Sequence, residues 1–173
     1  MGRLLDSTES MKAAVARVAE RVPDMPVDDI VLLRLLHIVN AGLDQSEERW
    51  LKPYKLGNSE FRTLMMLYSS AEQQAHPSDL CQWASQKPTN MTRIIDTLLE
   101  RGLVTRRPSD ADRRRIILEV TPEGSRLVRT LLPEVRPNVQ ALFHHFSRSE
   151  YRQLAGLLEK LLRNLDAMDP VQE

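Results

Sequence analysis

The amino-acid sequence predicts a mainly α-helical fold that carries one small β-hairpin. Apolar residues recur at helical spacing over both ends of the chain, which indicates long amphipathic helices there. Between residues 103 and 124 the pattern changes to an apolar-then-basic strand, a turn rich in Pro, Ser and Asp, and a second, alternating strand. A helix–turn–helix pattern comes directly before this hairpin. We therefore expect a winged helix–turn–helix with N- and C-terminal dimerisation helices, mainly α with a small β-wing.

Residues 1–57 are predicted to form N-terminal helices that serve dimerisation and line a ligand pocket. Residues 7–22 have an amphipathic pattern that ends at Pro23. Residues 27–50 are apolar on most sides, so this helix should be buried on more than one face, by the fold itself or by a partner subunit. Pro53 and Gly57 mark a break before the next element.

Residues 58–122 are predicted to form the winged helix–turn–helix domain. A helix capped by Asn58 or Ser59 should run to about residue 70, followed by a short helix after Pro77. A longer helix should run from Pro88 to about residue 101, because Gly102 stands where a left-handed C-terminal residue is needed. The wing, residues 103–120, completes the domain.

Residues 123–173 are predicted to form C-terminal dimerisation helices. Thr121 and Pro122 suit the N-cap and first position of a long helix, which Pro133 and Pro137 should kink or break. The last helix should start at Ser147 and carries a stripe of leucines. Helices this apolar at both ends of the chain predict a homodimer that presents two recognition helices to a palindromic DNA site.

The charge distribution indicates one DNA-binding face. Residues 1–84 carry 9 basic and 12 acidic side chains, residues 85–115 carry 8 and 4, and residues 116–173 carry 7 and 8. The positive charge is therefore confined to one segment although the whole chain is neutral, as expected when a single face docks on DNA.

The residue types in this segment suit base and phosphate recognition. Asn pairs with adenine, Arg with guanine, and Thr contacts the thymine methyl group, while wing arginines suit phosphates and the narrow minor groove. Taken alone, each element could also be an ordinary amphipathic helix or a solvated turn. Asp112 is close enough in sequence to orient Arg114. The predicted DNA-binding residues are Lys87, Thr89, Asn90, Thr92, Arg93, Arg107, Asp112, Arg113, Arg114 and Arg115.

Other classes of function fit the sequence less well. No phosphate-binding glycine loop, catalytic triad or pair of carboxylates in an apolar setting is recognisable, so we expect no enzyme, no catalytic residue and no cofactor. His144 and His145, with His76 and Cys81, lack ligand spacing, so we expect no metal. A redox role for Cys81 and a purely protein-binding winged helix remain as alternatives. A single cysteine and the lack of a long apolar run predict a cytoplasmic protein without membrane contact.

The segment from Pro77 to Gly124 resembles the MarR family of bacterial repressors. The family's wing signature is present as Asp112-Arg113-Arg114, Val120-Thr121 and Gly124, with Val for the usual Leu. Within the family, the sequences TNMTRIIDTLLERG, RRPSDADRRR and TPEG are most similar to the multidrug-efflux repressors. One departure is Pro88, where those repressors have a basic residue, and this shifts the expected phosphate or base contact to Lys87.

This resemblance implies a homodimer that represses an operon and releases double-stranded operator DNA when a small aromatic or lipophilic effector binds. It also implies that Arg114 enters the minor groove. Family effectors lie between the dimerisation helices and the winged helix, so the expected ligand residues are His37, Trp50, Met65 and Met66, although plain core packing explains them as well. Control of a multidrug-efflux operon is expected, and regulation of aromatic-compound degradation is the alternative.

Overall fold

The structure, a computed structural model, describes residues 3–109 and 115–168. Within these residues the chain forms seven α-helices and three short strands. The helices are α1 Arg3–Ala19, α2 Val27–Leu51, α3 Asn58–Ser69, α4 Pro77–Trp83, α5 Pro88–Glu100, α6 Pro122–Leu142 and α7 Arg148–Met168. The strands are β1 Gln74–Ala75, β2 Val104–Pro108 and β3 Ile116–Val120. This confirms the predicted mainly α fold with a small β-wing.

The chain divides into two compact units, residues 1–131 and residues 132–173. The first unit holds α1 to α5, the sheet and the first half of α6. The second unit holds the remainder of α6 and the whole of α7.

The core of the first unit lies between three helices and the sheet. The sheet is antiparallel in the order β1-β3-β2, and β2 pairs with β3 from Val104 opposite Val120 to Pro108 opposite Ile116. Helices α3 and α4 each contact α5 and β3. The buried side chains that fill this space are Leu64, Leu67, Leu80, Met91, Ile94, Ile95, Leu98 and Leu118. Apolar burial on this scale is the main force that fixes α5 in the domain.

Two predicted details of the first unit are wrong. The first helix runs from Arg3 to Ala19 and not over residues 7–22. The N-cap of α3 is Gly57, whose carbonyl accepts a hydrogen bond from Phe61, and not Asn58 or Ser59. The Asn58 amide instead donates to the backbone carbonyl of Asp44 at 2.8 Å, so this polar residue joins α3 to α2.

Of the kink or break predicted for α6, the break does not occur, because the helix continues through Pro133 and Pro137 to Leu142. Each proline removes one backbone donor, and the other hydrogen bonds of the helix remain available. The predicted cap of α7 is present. Ser147 donates from its backbone N–H and its hydroxyl to the Glu150 carboxylate at 2.7 and 2.6 Å, and these bonds hold the pKa of Glu150 below its ordinary value.

Two arginines join α2 and the turn after it to the winged helix. Arg62 of α3 donates to Asp44 at 2.7 Å and to Glu47 at 2.6 Å, both on α2. Partial burial disfavours the guanidinium charge, but these two carboxylates outweigh that effect and raise the pKa of Arg62. Arg101, at the end of α5, donates to the backbone carbonyls of Tyr54 and Lys55 at 2.9 and 2.6 Å.

Candidate nucleic-acid interface

Helix α5 is amphipathic, and its polar side is exposed at the N-terminal end. Met91, Ile94, Ile95 and Leu98 are buried against the core. Lys87 is the N-cap and Pro88 the first helical residue, where a missing N–H is harmless. Among the described residues no side chain caps this end of α5. The backbone N–H groups at the positive end of the helix dipole therefore remain available to an anion such as phosphate.

The turn after α5 fixes where the wing begins. Gly102 has a φ of +65°, a left-handed conformation that disfavours residues with a Cβ. Its N–H donates to the carbonyl of Leu99 at 2.9 Å, and the N–H of Leu103 donates to Leu98 at 3.0 Å. These two bonds form a Schellman motif around the left-handed residue that was predicted at Gly102, and the motif turns the chain directly into β2.

Three polar side chains form a hydrogen-bonded chain at the N-terminal end of α5. The Gln86 side-chain carbonyl accepts from Asn90 Nδ2 at 2.6 Å. Asn90 Oδ1 in turn accepts from the Arg93 guanidinium at 3.4 Å. Asn90 and Arg93 were predicted to lie here, but Gln86 was not, because it precedes the helix and carries no motif.

The remaining predicted residues of α5 are also at its exposed end. Lys87, Thr89 and Thr92 are exposed. The Thr92 hydroxyl donates to the backbone carbonyl of Pro88 at 3.0 Å, which leaves its methyl group as an apolar contact. Together with Arg93, these side chains form an exposed polar surface made of residue types that contact bases in the major groove.

The guanidinium of Arg107 lies against the sheet. It donates to Glu119 at 3.3 Å and to the Gln74 side chain at 3.0 Å, and so it joins β2 to β3 and β1. Arg106, its neighbour, lies 3.4 Å from Asp96 of α5. These contacts connect strand β2 of the wing to α5 and to the rest of the sheet.

The tip of the wing is only partly described. Arg115 is exposed, and its backbone carbonyl accepts from the N–H of Ser109 at 2.9 Å. Asp112, Arg113 and Arg114, all predicted to contact DNA, lie outside the described residues.

Two residues of the wing signature, Thr121 and Gly124, fix the base of the wing. The Thr121 hydroxyl donates to the carbonyl of Gly102 at 2.7 Å and accepts from the N–H of Gly124 at 3.0 Å. A Cβ at Gly124 would lie 2.1 Å from the backbone oxygen of Leu103, so only glycine fits. The T-x2-G part of the signature therefore joins the start of α6 to the turn between α5 and β2.

A histidine that was not predicted for the site connects α4 to the start of β3. The ring Nδ1 of His76 lies 2.7 Å from the carbonyl oxygen of Ile116, and its backbone N–H donates to Asp79 at 3.1 Å. His76 is thus the N-cap of α4 and a contact of the wing strand at the same time.

Of the four residues predicted for a ligand pocket, Met66 lines a groove of about 420 Å³ with Ser69, Ser70 and Trp83. His37 is exposed on α2, while Trp50 and Met65 are half-buried. Trp83 of α4 was not among the predicted residues, and its exposed ring gives the groove an aromatic wall.

Residues 3–109 and 115–168 contain no group of three or more metal-binding side chains. None of the helices described is both long and apolar enough to cross a membrane.

Comparison with known proteins gives a consistent result. The sequence model of the MarR family matches residues 54–115, from the turn after α2 to the wing. The transcriptional repressor MprA of Escherichia coli K12 is 34% identical over 151 residues, which cover 87% of this chain and 86% of that protein. The multiple antibiotic resistance protein MarR of Salmonella typhimurium is 26% identical over 77% of this chain and 92% of that protein.

The fold matches a solved structure of a related protein on DNA. A cysteine-to-serine mutant of E. coli MarR complexed with operator DNA superposes with a TM-score of 0.73 at 27% identity. The match covers 80% of this chain and 99% of that one. These relatives are regulators of transcription and not enzymes, which agrees with the expectation from the sequence.

Proposed function

This chain belongs to the MarR family of transcription regulators, and from that premise we propose that it is a ligand-responsive repressor that binds a palindromic operator as a homodimer. The observation that carries the proposal is the exposed polar N-terminal end of α5, which has no side-chain cap. The basic strand β2 contacts the same helix through Arg106 and Asp96. Base-reading side chains and a phosphate site are thereby adjacent, as a helix in the major groove requires.

Proposed contacts divide between two grooves. Lys87, Thr89, Thr92 and Arg93 face the major groove, where the exposed end of α5 would enter. Arg114, with Arg113 and Arg115, is assigned to the minor groove and to phosphates on the strength of the sequence signature. Such operator binding would take place in the cytoplasm.

A second copy of this chain is the proposed partner of the apolar helices. Along α7 the leucines from Leu154 to Leu165 are all exposed in the single chain, and no described residue of this helix is buried. Leu32, Leu33 and Val39 of α2 are exposed as well. Apolar surface of this extent is unusual on a monomer and is typical of a subunit interface.

The direct test is binding of the full-length protein to a labelled duplex from the DNA upstream of its own gene. We expect tight binding at moderate salt and at least a hundredfold weaker binding to random duplex of the same length, since specific sites typically exceed nonspecific ones by about 10³ or more. Equal binding to both duplexes would contradict the proposal.

The proposed effector is a small aromatic or lipophilic weak acid, and the proposed target is a multidrug-efflux operon. Support comes from the likeness to MprA and to the multiple antibiotic resistance protein MarR. Met65 and Met66 suit such an effector because methionine adapts to varied apolar shapes. Transporter genes beside this gene would support efflux control, whereas ring-cleavage genes would favour the catabolic alternative.

The proposed mechanism of release uses the two arginine links described above. Arg62 and Arg101 connect α2 and its following turn to α3 and α5, so a shift of α2 would be passed to the recognition helix. An effector bound near His37 and Met66 would bind one spacing of the two recognition helices more tightly than the spacing that fits DNA. It would weaken DNA binding by the ratio of its affinities for these two spacings.

Titration with salicylate tests this mechanism. We expect the acid to lower operator affinity while sedimentation shows an intact dimer, and operator DNA to weaken salicylate binding by the same factor. Dissociation of the dimer by the acid, or loss of the response in Cys81→Ser, would overturn the mechanism.

A further inference from the structure

We infer that Gln86 is a positioning residue for base recognition, because it fixes the amide of Asn90 and, through it, the guanidinium of Arg93. The inference rests on the proposed DNA binding and assigns base reading at this point of α5 to Arg93. Asn90 then acts through Arg93 and does not itself read a base.

The backbone of Gln86 is held in place by the preceding helix. Its N–H donates to the carbonyl of Cys81 at 2.9 Å, so the residue is tied to α4 although it lies in the turn before α5. Gln86 is half-buried, as is Asn90. The hydrogen bond between the two side chains is short, 2.6 Å, and partly protected from water.

The two neighbours of Asn90 favour one orientation of its amide. Arg93 can only donate, so the Asn90 oxygen is turned toward Arg93, and its NH₂ group is then satisfied by the carbonyl oxygen of Gln86. If the acceptor at position 86 were lost, the amide could rotate and present its NH₂ group to the guanidinium, which can only donate.

Orientation matters for Arg93 because it is long, exposed and flexible. To read guanine, an arginine places two of its N–H donors in the plane of the base. An arginine that is unrestrained in the free protein loses rotamer freedom on binding in this way, and that loss costs free energy. One hydrogen bond donated by Arg93 to Asn90, which is held in turn by Gln86, restrains part of the arginine side chain before DNA binds.

The experiment compares operator panels in which each base pair is changed singly. Arg93→Ala identifies the base pair that Arg93 reads, and Gln86→Met removes the acceptor with little change of shape. In Gln86→Met and Asn90→Ala we expect the preference for the operator base over its substitutes at that same base pair to fall about fivefold to tenfold. This is the lower part of the range of discrimination for one base contact. Gln82→Met, the same change on exposed α4, should leave the preference unchanged.

Two further variants separate positioning from a merely structural role. Gln86→Glu keeps the acceptor, so it should retain the base preference even where overall affinity changes with the added charge. The double variant Gln86→Met/Arg93→Ala should show no greater loss of preference than Arg93→Ala alone, because both changes act on one interaction.

The outcomes distinguish the inference from the proposed function. Wild-type protein without operator preference would overturn both. Operator preference in the wild type would support DNA binding. The inference alone is then contradicted if Gln86→Met has the same base preference as the wild type, or if its loss of preference adds fully to that of Arg93→Ala. It also falls if Asn90→Ala relaxes preference at a different base pair, since Asn90 would then read a base directly.

Discussion

Arg107 shows why the sequence alone could not assign every basic side chain of the site. Residue type and position in the wing predicted a DNA contact, and nothing in the local sequence indicated a partner. In the structure the guanidinium bonds to Glu119 and Gln74, which are distant along the chain and adjacent in the sheet. Its charge is thus paired inside the protein. By contrast, the polar residues of α5 were predictable because helical spacing alone separates the buried face from the exposed one.

Arg114→Ala and Arg107→Ala are expected to weaken operator binding in different ways. Loss of a groove or phosphate contact at Arg114 should lower affinity on all sequences and reduce the slope of log affinity against log salt by about 1. Arg107→Ala should lower affinity with little change of slope, because its charge is paired with Glu119 before DNA binds.

Fluorescence anisotropy over a salt series measures both quantities. Lys12→Ala removes one positive charge from α1 and serves as the control for net charge alone. An unchanged slope in Arg114→Ala would contradict the assigned contact.

Local signals predicted three of the helix ends correctly, and nonlocal strand pairing was missed. Gly102, Thr121 and Ser147 act within a few residues of themselves, so the end of α5 and the starts of α6 and α7 were predictable. Strand β1 was not, because two residues have no recognisable pattern and form a strand only by pairing with β3. At Pro133 and Pro137 a local signal that usually ends a helix did not end α6.

Gly102→Ala is expected to lower the free energy of unfolding by about 1–2 kcal/mol, the usual penalty for a Cβ in the left-handed region. A Cβ at this position would meet no atom within 4 Å, so the effect comes from the backbone alone. Urea unfolding measures it.

Gly156→Ala is the matched control for this change. A Cβ there also meets no atom within 4 Å, but the residue lies inside α7. The same substitution should therefore stabilise the protein, by about 0.5–1 kcal/mol. Equal effects of the two substitutions would show that backbone conformation is not the cause.

The whole molecule carries more apolar surface than its own fold covers. The sequence predicted this from the stripe of leucines in the last helix, and the exposed leucines of α7 agree with it. Which surface of a second copy meets them could not be predicted, because an interface depends on the shapes of two subunits and not on the periodicity of one helix.

Leu161→Glu should dissociate the proposed dimer, since it buries an unpaired charge in an apolar interface. Sedimentation at micromolar concentration should show monomers, and operator affinity should fall at least tenfold because the second half-site contact is lost. Gln153→Glu adds the same charge to α7 outside the leucine stripe and should remain dimeric. A dimeric Leu161→Glu would place the subunit interface elsewhere.

The most direct test of the whole account is a hydroxyl-radical footprint of the wild-type protein on the DNA upstream of its gene. A dimer with two recognition helices predicts two related protected segments on one face of the duplex, their centres about 10 bp apart, or one helical turn. Gln86→Met should protect the same segments more weakly. Protection of a single segment, or of no defined segment, would contradict a dimeric repressor that reads a palindromic operator.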